Sequence, residues 1–127
     1  MTTHNKLLQK NVFGKPLRAC CMQPVTGFFR NGLCELHPED SGVHTVCIIA
    51  TDAFLNFSAK QGNDLSTSIP EYDFPGLKTG DKWCLCALRW KEAYDAGAAP
   101  KIVLSATHES MLDIVPLEIL TEYAIDC

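Results

Sequence analysis

The run Val46-Cys47-Ile48-Ile49-Ala50 is an unbroken apolar stretch, and the sequence changes character directly after it. Consecutive apolar residues line both faces of a strand, so His44 to Ala50 is expected to be a central strand covered from both sides. Thr51 then stands where a helix N-cap belongs, and Asp52 places a negative charge at the positive end of the helix dipole. Phe54, Leu55 and Phe57 give that helix an apolar side, Lys60 falls in its last turn, and Gly62 supplies the stop. A buried strand running into a capped helix demands further elements to cover both. At five residues the run is far below the roughly 18 needed to cross a bilayer. Met1 to Lys10 lacks the apolar stretch of a secretion signal.

The remaining punctuation supplies the covering elements. Residues 1–10 read as a flexible lead-in and residues 11–127 as a single domain, since 127 residues do not divide into two useful cores. Gly27 to Cys34 reads as a hairpin turning at Asn31-Gly32. Asn63 to Asp81 is a long irregular stretch of the kind that often carries function. Trp83 to Cys86 is a short strand leading into a helix from about Ala87 to Ala96. Lys101 to Ala106 is a further strand, and Thr107 is placed to cap a helical turn carrying Glu109, Met111 and Leu112. A final amphipathic helix shows Leu117, Leu120 and Ala124 on one side. The order is a β-rich first half followed by alternating helices and strands. It predicts an α+β class, a small two-layer α/β sandwich whose mixed sheet carries three or four short helices.

Charge and cysteine content narrow the function. A net charge of −4 argues against a nucleic-acid partner, because phosphate neutralisation needs a basic face. A mean hydropathy of zero is apolar for so short a chain and points toward self-association into a homo-oligomer. Seven cysteines is an odd number. With a core that needs no staples and no export signal in view, the expectation is reduced thiols in a cytoplasmic protein.

One further pattern emerges from single residues along the chain. Asn11-Val12, Gly14, Pro16-Leu17, Pro24 and Thr26-Gly27-Phe28 open it, followed by Arg30, Gly32, Cys34, Glu39-Asp40 and Gly42. His44-Thr45-Val46-Cys47, Phe54-Leu55, Gly62 to Thr67 and Phe74-Pro75-Gly76-Leu77 continue it. Gly80-Asp81, Trp83-Cys84-Leu85-Cys86, Arg89-Trp90, Ala93, Gly97, Ala99-Pro100 and Ala106-Thr107-His108 complete it. In these residues the chain, from 11 to about 125, closely resembles a bacterial family catalogued as domain of unknown function 2237. The resemblance implies a two-layer α/β sandwich in a cytosolic bacterial protein and brings no activity with it.

Three groups of side chains carry candidate chemistry. Cys84 and Cys86 point to one face of their strand and offer two sulfurs side by side. No resident cofactor is expected; if zinc is held, its ligands are Cys34, Cys47, Cys84 and Cys86, although only one short hook is present where structural zinc usually has two. Cys20 and Cys21 are adjacent and too close to chelate well. Buried packing competes with the zinc reading, because free cysteine is among the most buried residue types. Cys34 with His44, oriented by Asp40, would make a thiolate nucleophile. The competing reading is a strand-end histidine bracing the loop beside it. The third group is Asn63, Asp64, Ser66, Thr67, Asp81 and Arg89 between the indoles of Trp83 and Trp90. Arg89 offers a planar fork for a carboxylate or phosphate, and the indoles offer apolar walls. Its competitor is ordinary turn chemistry at Asn63 and Asp64, with Arg89 paired internally. The leading expectation is a small anionic metabolite in a cleft formed by the 62–81 loop, Arg89, Trp83 and Trp90. The first alternative is a thiol-dependent enzyme using Cys34 or Cys84/Cys86 with His44. The second is a zinc-stabilised interaction module. The sequence leaves open whether the chain is an enzyme.

Overall fold

The computed structural model describes residues 9–20, 26, 32–40, 43–72 and 74–126. Three strands, β1 (His44–Ile49), β2 (Lys82–Cys86) and β3 (Lys101–Ile102), form one sheet in the order β2-β1-β3. β1 takes the centre, as its unbroken apolar pattern requires, and Val46, Cys47 and Ile48 are fully buried. Both pairings are antiparallel, so the expected mixed sheet is corrected; among the described residues the parallel contact is an isolated bridge between Ile102 and Ala124.

The register sorts side chains by face. Val46 stands opposite Leu85, and Ile48 stands between Trp83 and Ile102, while Cys47 stands opposite Cys84. Val46, Ile48, Leu85 and Ile102 join the main core with Phe54, Leu55, Trp90, Met111 and Leu120. On the opposite face Cys47 and Cys84 pack with Cys20, Cys34 and Ala106 in a second, smaller cluster. The period of two along a strand is the whole reason the chain has two cores of different chemistry.

Three α-helices cover the sheet: α1 (Asp52–Lys60), α2 (Ala87–Asp95) and α3 (Leu117–Tyr123). α2 packs on β1 and β2, α1 on α2, and α3 on β3, giving the expected small α+β fold. α1 has the anticipated ends: the Phe54 amide donates to Thr51 Oγ1 at 3.2 Å, and Gly62 adopts φ +89° just beyond the last turn. The indole of Trp90 stacks on Tyr94 and meets Tyr123 edge-on, locking α2 to α3. No helix among the described residues is long and apolar enough to cross a membrane.

Three expectations about local structure change. The predicted strand from Lys101 to Ala106 pairs only at Lys101 and Ile102, because the amides of Leu104 and Ser105 turn away to the Asp126 carboxylate at 2.7 and 3.0 Å. The chain continues there as a 3-10 turn, Leu104–Ala106. The next turn, Glu109–Asp113, is capped by His108 rather than Thr107: the Ser110 amide donates to His108 Nδ1 at 3.0 Å. Thr107 is fully buried and bonded instead to the Cys47 amide and the Val103 carbonyl. Finally, the described part of residues 9–43 contains isolated bridges and no strand. Asn11 organises it, accepting the Phe13 and Lys15 amides and donating to Ser105 O at 3.0 Å.

The predicted lead-in and hairpin fall mostly outside the described residues. Of the former, Gln9 is bonded at both ends of its side-chain amide to the Leu36 backbone. Of the latter, Gly32 has φ +85° and donates to Thr26 O at 2.9 Å.

Candidate functional site

β2, the start of β1, the first turn of α2 and the residues after α1 meet at a cavity of about 220 Å³ lined by His44, Asn63, Leu65, Trp83, Leu85, Cys86 and Arg89. Each wall has a local cause. Trp83 alternates with buried Cys84 along β2 and is braced by Phe74 of the long loop, ring centres 5.0 Å apart. The backbone of Asn63 is pinned from both sides by Ser58, which accepts its amide at its carbonyl (2.9 Å) and donates its hydroxyl to the Asn63 carbonyl (2.6 Å). Arg89, on the first turns of α2, donates through one nitrogen to Gln61 O and Glu92 Oε1, each at 3.2 Å. A guanidinium has five N–H donors, so these contacts hold the fork in place without exhausting it.

His44 enters the cavity from a strained corner. Asp40, 3% exposed, receives both the His44 amide (2.9 Å) and the His44 Nδ1 proton (2.7 Å). A carboxylate can only accept, so Nδ1 carries the proton and, in the neutral ring, Nε2 keeps its lone pair. Between them Val43 adopts φ +52°, a left-handed conformation that is costly for a β-branched side chain. Its carbonyl accepts the Ala87 amide at 3.0 Å, so the same corner fixes the first residue of α2. Across the sheet His44 is the register partner of Cys86, the N-cap of α2 and the free cysteine among the described residues.

Not all the predicted cleft residues arrive here. Asn63, Trp83 and Arg89 line the cavity, and His44 joins them. Trp90 is fully buried, donating its indole N–H to Pro100 O at 3.2 Å. Asp64, Ser66 and Thr67 form an exposed turn of their own. The Thr67 hydroxyl and the Ser66 amide both donate to the Asp64 carboxylate and hold it below the ordinary carboxylate range. Asp81 accepts the Lys78 amide at 2.9 Å. Leu65 and Leu85 are cavity walls that no sequence signal marked, since an aliphatic residue beside a cleft reads like any other. A larger depression, about 540 Å³, lies over Asn11, Phe13, Lys15, Pro16, Leu17, Arg18 and Ser105. Most of its walls are exposed loop side chains, and its lining holds no carboxylate, imidazole or thiol.

The sulfurs converge elsewhere. Cys20 is bonded to Cys47 and Cys34 to Cys84, which corrects the expectation of uniformly reduced thiols. Cys47 and Cys84 are direct cross-strand partners, and Cys20 and Cys34 descend on that face from chain segments far away in sequence. Cys34 is therefore not the thiol beside His44. Cys20, whose adjacency to Cys21 argues against ligation, takes the place in the cluster that was expected of Cys86. No spacing in the sequence encodes this, because the sheet register creates it.

No curated protein matches the chain. The model of a family described as an uncharacterized protein conserved in bacteria (DUF2237) matches residues 10–124, a span that includes every lining residue of the cavity and all four clustered sulfurs, and the chain belongs to that family.

Proposed function

We propose that the chain binds a small anionic ligand, a carboxylate or phosphate, in the cavity between Arg89, Asn63, His44 and Trp83. The observation that carries this reading is the convergence of a guanidinium, an amide and an imidazole on one hollow of about 220 Å³ with an indole wall. Drug-sized pockets occupy roughly 300–1,000 Å³, so the volume suits a metabolite of few heavy atoms. Arg89 supplies charge and direction, and Glu92 competes with the ligand for it. The reading requires neither nucleic acid nor a second copy of the chain. A cytoplasmic setting belongs to this proposal only if Cys20, Cys47, Cys34 and Cys84 are kept there as thiols, since disulfides form and persist in oxidising compartments. The test is a panel of small carboxylates and phosphates, followed by melting temperature and Trp83 fluorescence. One class should raise the melting temperature, and Arg89→Ala should weaken its binding at least about tenfold while leaving the circular dichroism unchanged. No shift across the panel, or a shift indifferent to Arg89→Ala, overturns the reading.

A second reading is favoured by the Asp40–His44 pair. With Cys86 opposite His44 at the head of α2, the three are arranged in the order of a thiol nucleophile, a base and its orienting acid. Iodoacetamide at pH 6 should then alkylate Cys86 faster than any other cysteine, and His44→Ala should slow it. Uniformly slow labelling rejects this reading.

A further inference from the structure

We propose that Cys20, Cys34, Cys47 and Cys84, once reduced, form a tetrathiolate site for one zinc ion. The sulfurs of Cys20, Cys34 and Cys47 already lie within 4.8 Å of one another, and that of Cys84 is bonded to Cys34. Tetrahedral zinc at about 2.3 Å from each sulfur sets the sulfurs roughly 3.8 Å apart, so each pair, once reduced, must move apart from bonding distance to that spacing while all four side chains stay on one face of the sheet. The cluster is dry, with no member more than 5% exposed. Its backbone is held on independent anchors: the Cys47 amide donates to Thr107 Oγ1, the Cys84 amide to Thr26 Oγ1, and the Cys20 amide to Gly32 O. Such outer bonds orient metal ligands. Four thiolates and no oxygen or imidazole select zinc over magnesium or calcium. Cys86, two residues from Cys84, lines the separate cavity and is outside the set.

The two states interconvert with a closed balance. Reducing both disulfides takes four electrons from a thiol or phosphine reductant and four protons, from the thiols themselves or, with a phosphine, from water whose oxygen ends on phosphorus, leaving four thiols. Zinc then displaces four protons and forms four Zn–S bonds. In reverse, two equivalents of a two-electron oxidant, a disulfide or a peroxide, accept the electrons as two S–S bonds form and Zn²⁺ departs. Cross-links join the same four residues in both states, so the fold around them is kept while a metal is taken up or released.

The test starts from full-length protein reduced in denaturant with a phosphine, its thiols counted, then refolded under inert gas with zinc or with cobalt. One zinc per chain by mass spectrometry is expected, and cobalt should give the visible absorption of a tetrahedral thiolate complex. Cys86→Ser should leave both unchanged. Cys20→Ser should lower zinc affinity at least tenfold, and Cys20→His should retain the metal with a shifted cobalt spectrum. A fully reduced wild-type chain that refolds with less than half an equivalent of zinc overturns the proposal. So does a loss of metal in Cys86→Ser that Cys20→Ser does not share.

Discussion

His108 is 6% exposed, and its Nδ1 accepts the Ser110 amide, a bond that requires that nitrogen to be unprotonated. Burial lowers its pKa from the ordinary 6.5, against the opposing pull of Glu109 and Glu35. Below pH 6.5 the unfolded chain therefore binds more protons at this site than the folded one. Its contribution to stability is complete above that pH and is lost as pH falls toward the folded-state value, with a slope of at most about 1.4 kcal/mol per pH unit. Denaturant titrations should show this decline, and His108→Asn, which keeps a capping oxygen, should flatten it. An equal slope in both proteins would assign the acid sensitivity to other groups. At Gly76 the constraint is steric. The residue has φ +84°, and an added Cβ would lie 2.4 Å from the Ser66 carbonyl oxygen. Gly76→Ala should destabilise by at least about 2 kcal/mol in the same titration, through strain and a backbone clash that no side chain can relieve.

Among the elements, α1 depends least on its surroundings for its definition. Its cap, its acidic first turn and its terminal glycine are all local, so Thr51→Ala should cost about 1 kcal/mol of global stability, read from the denaturation midpoint. A cost near zero would mean that packing of Phe54 and Leu55 alone holds the helix start. β3 is the opposite case. Ile102 and Val103 favour continued extension, yet Asp126, 21 residues beyond Ser105, takes the amides of Leu104 and Ser105 just past the strand. Propensity names a conformation for each residue in turn, whereas a carboxylate arriving from the end of the chain is a tertiary fact.

At the scale of the molecule, two disulfides fasten the segments around Cys20 and Cys34 to the back of the sheet. They close loops of 27 and 50 residues, for which chain entropy predicts about 3–4 kcal/mol of stabilisation each. Reduction in the presence of a chelator should therefore lower the unfolding free energy by several kcal/mol, and the loss should be smaller in Cys34→Ser/Cys84→Ser, which has one bridge fewer to lose. Equal losses in the two proteins would show that the second bridge adds nothing.

Whatever rested on neighbours in the chain was readable from the letters. The central strand, the capped helix after it, the strand-to-helix step at Cys86–Ala87 and the α+β class all derive from periodicity and end signals spanning fewer than about ten residues. Part of the cavity was legible for a related reason, since Asn63, Trp83 and Arg89 adjoin those elements. Only the tertiary structure decided which way Trp90 faces, that Cys86 rather than Cys34 stands opposite His44, and that four cysteines from distant segments meet. Each of those facts depends on strand register and on which face a segment is carried to. A shift of one residue in pairing sends a side chain to the other side of the sheet, and nothing along the chain records that choice.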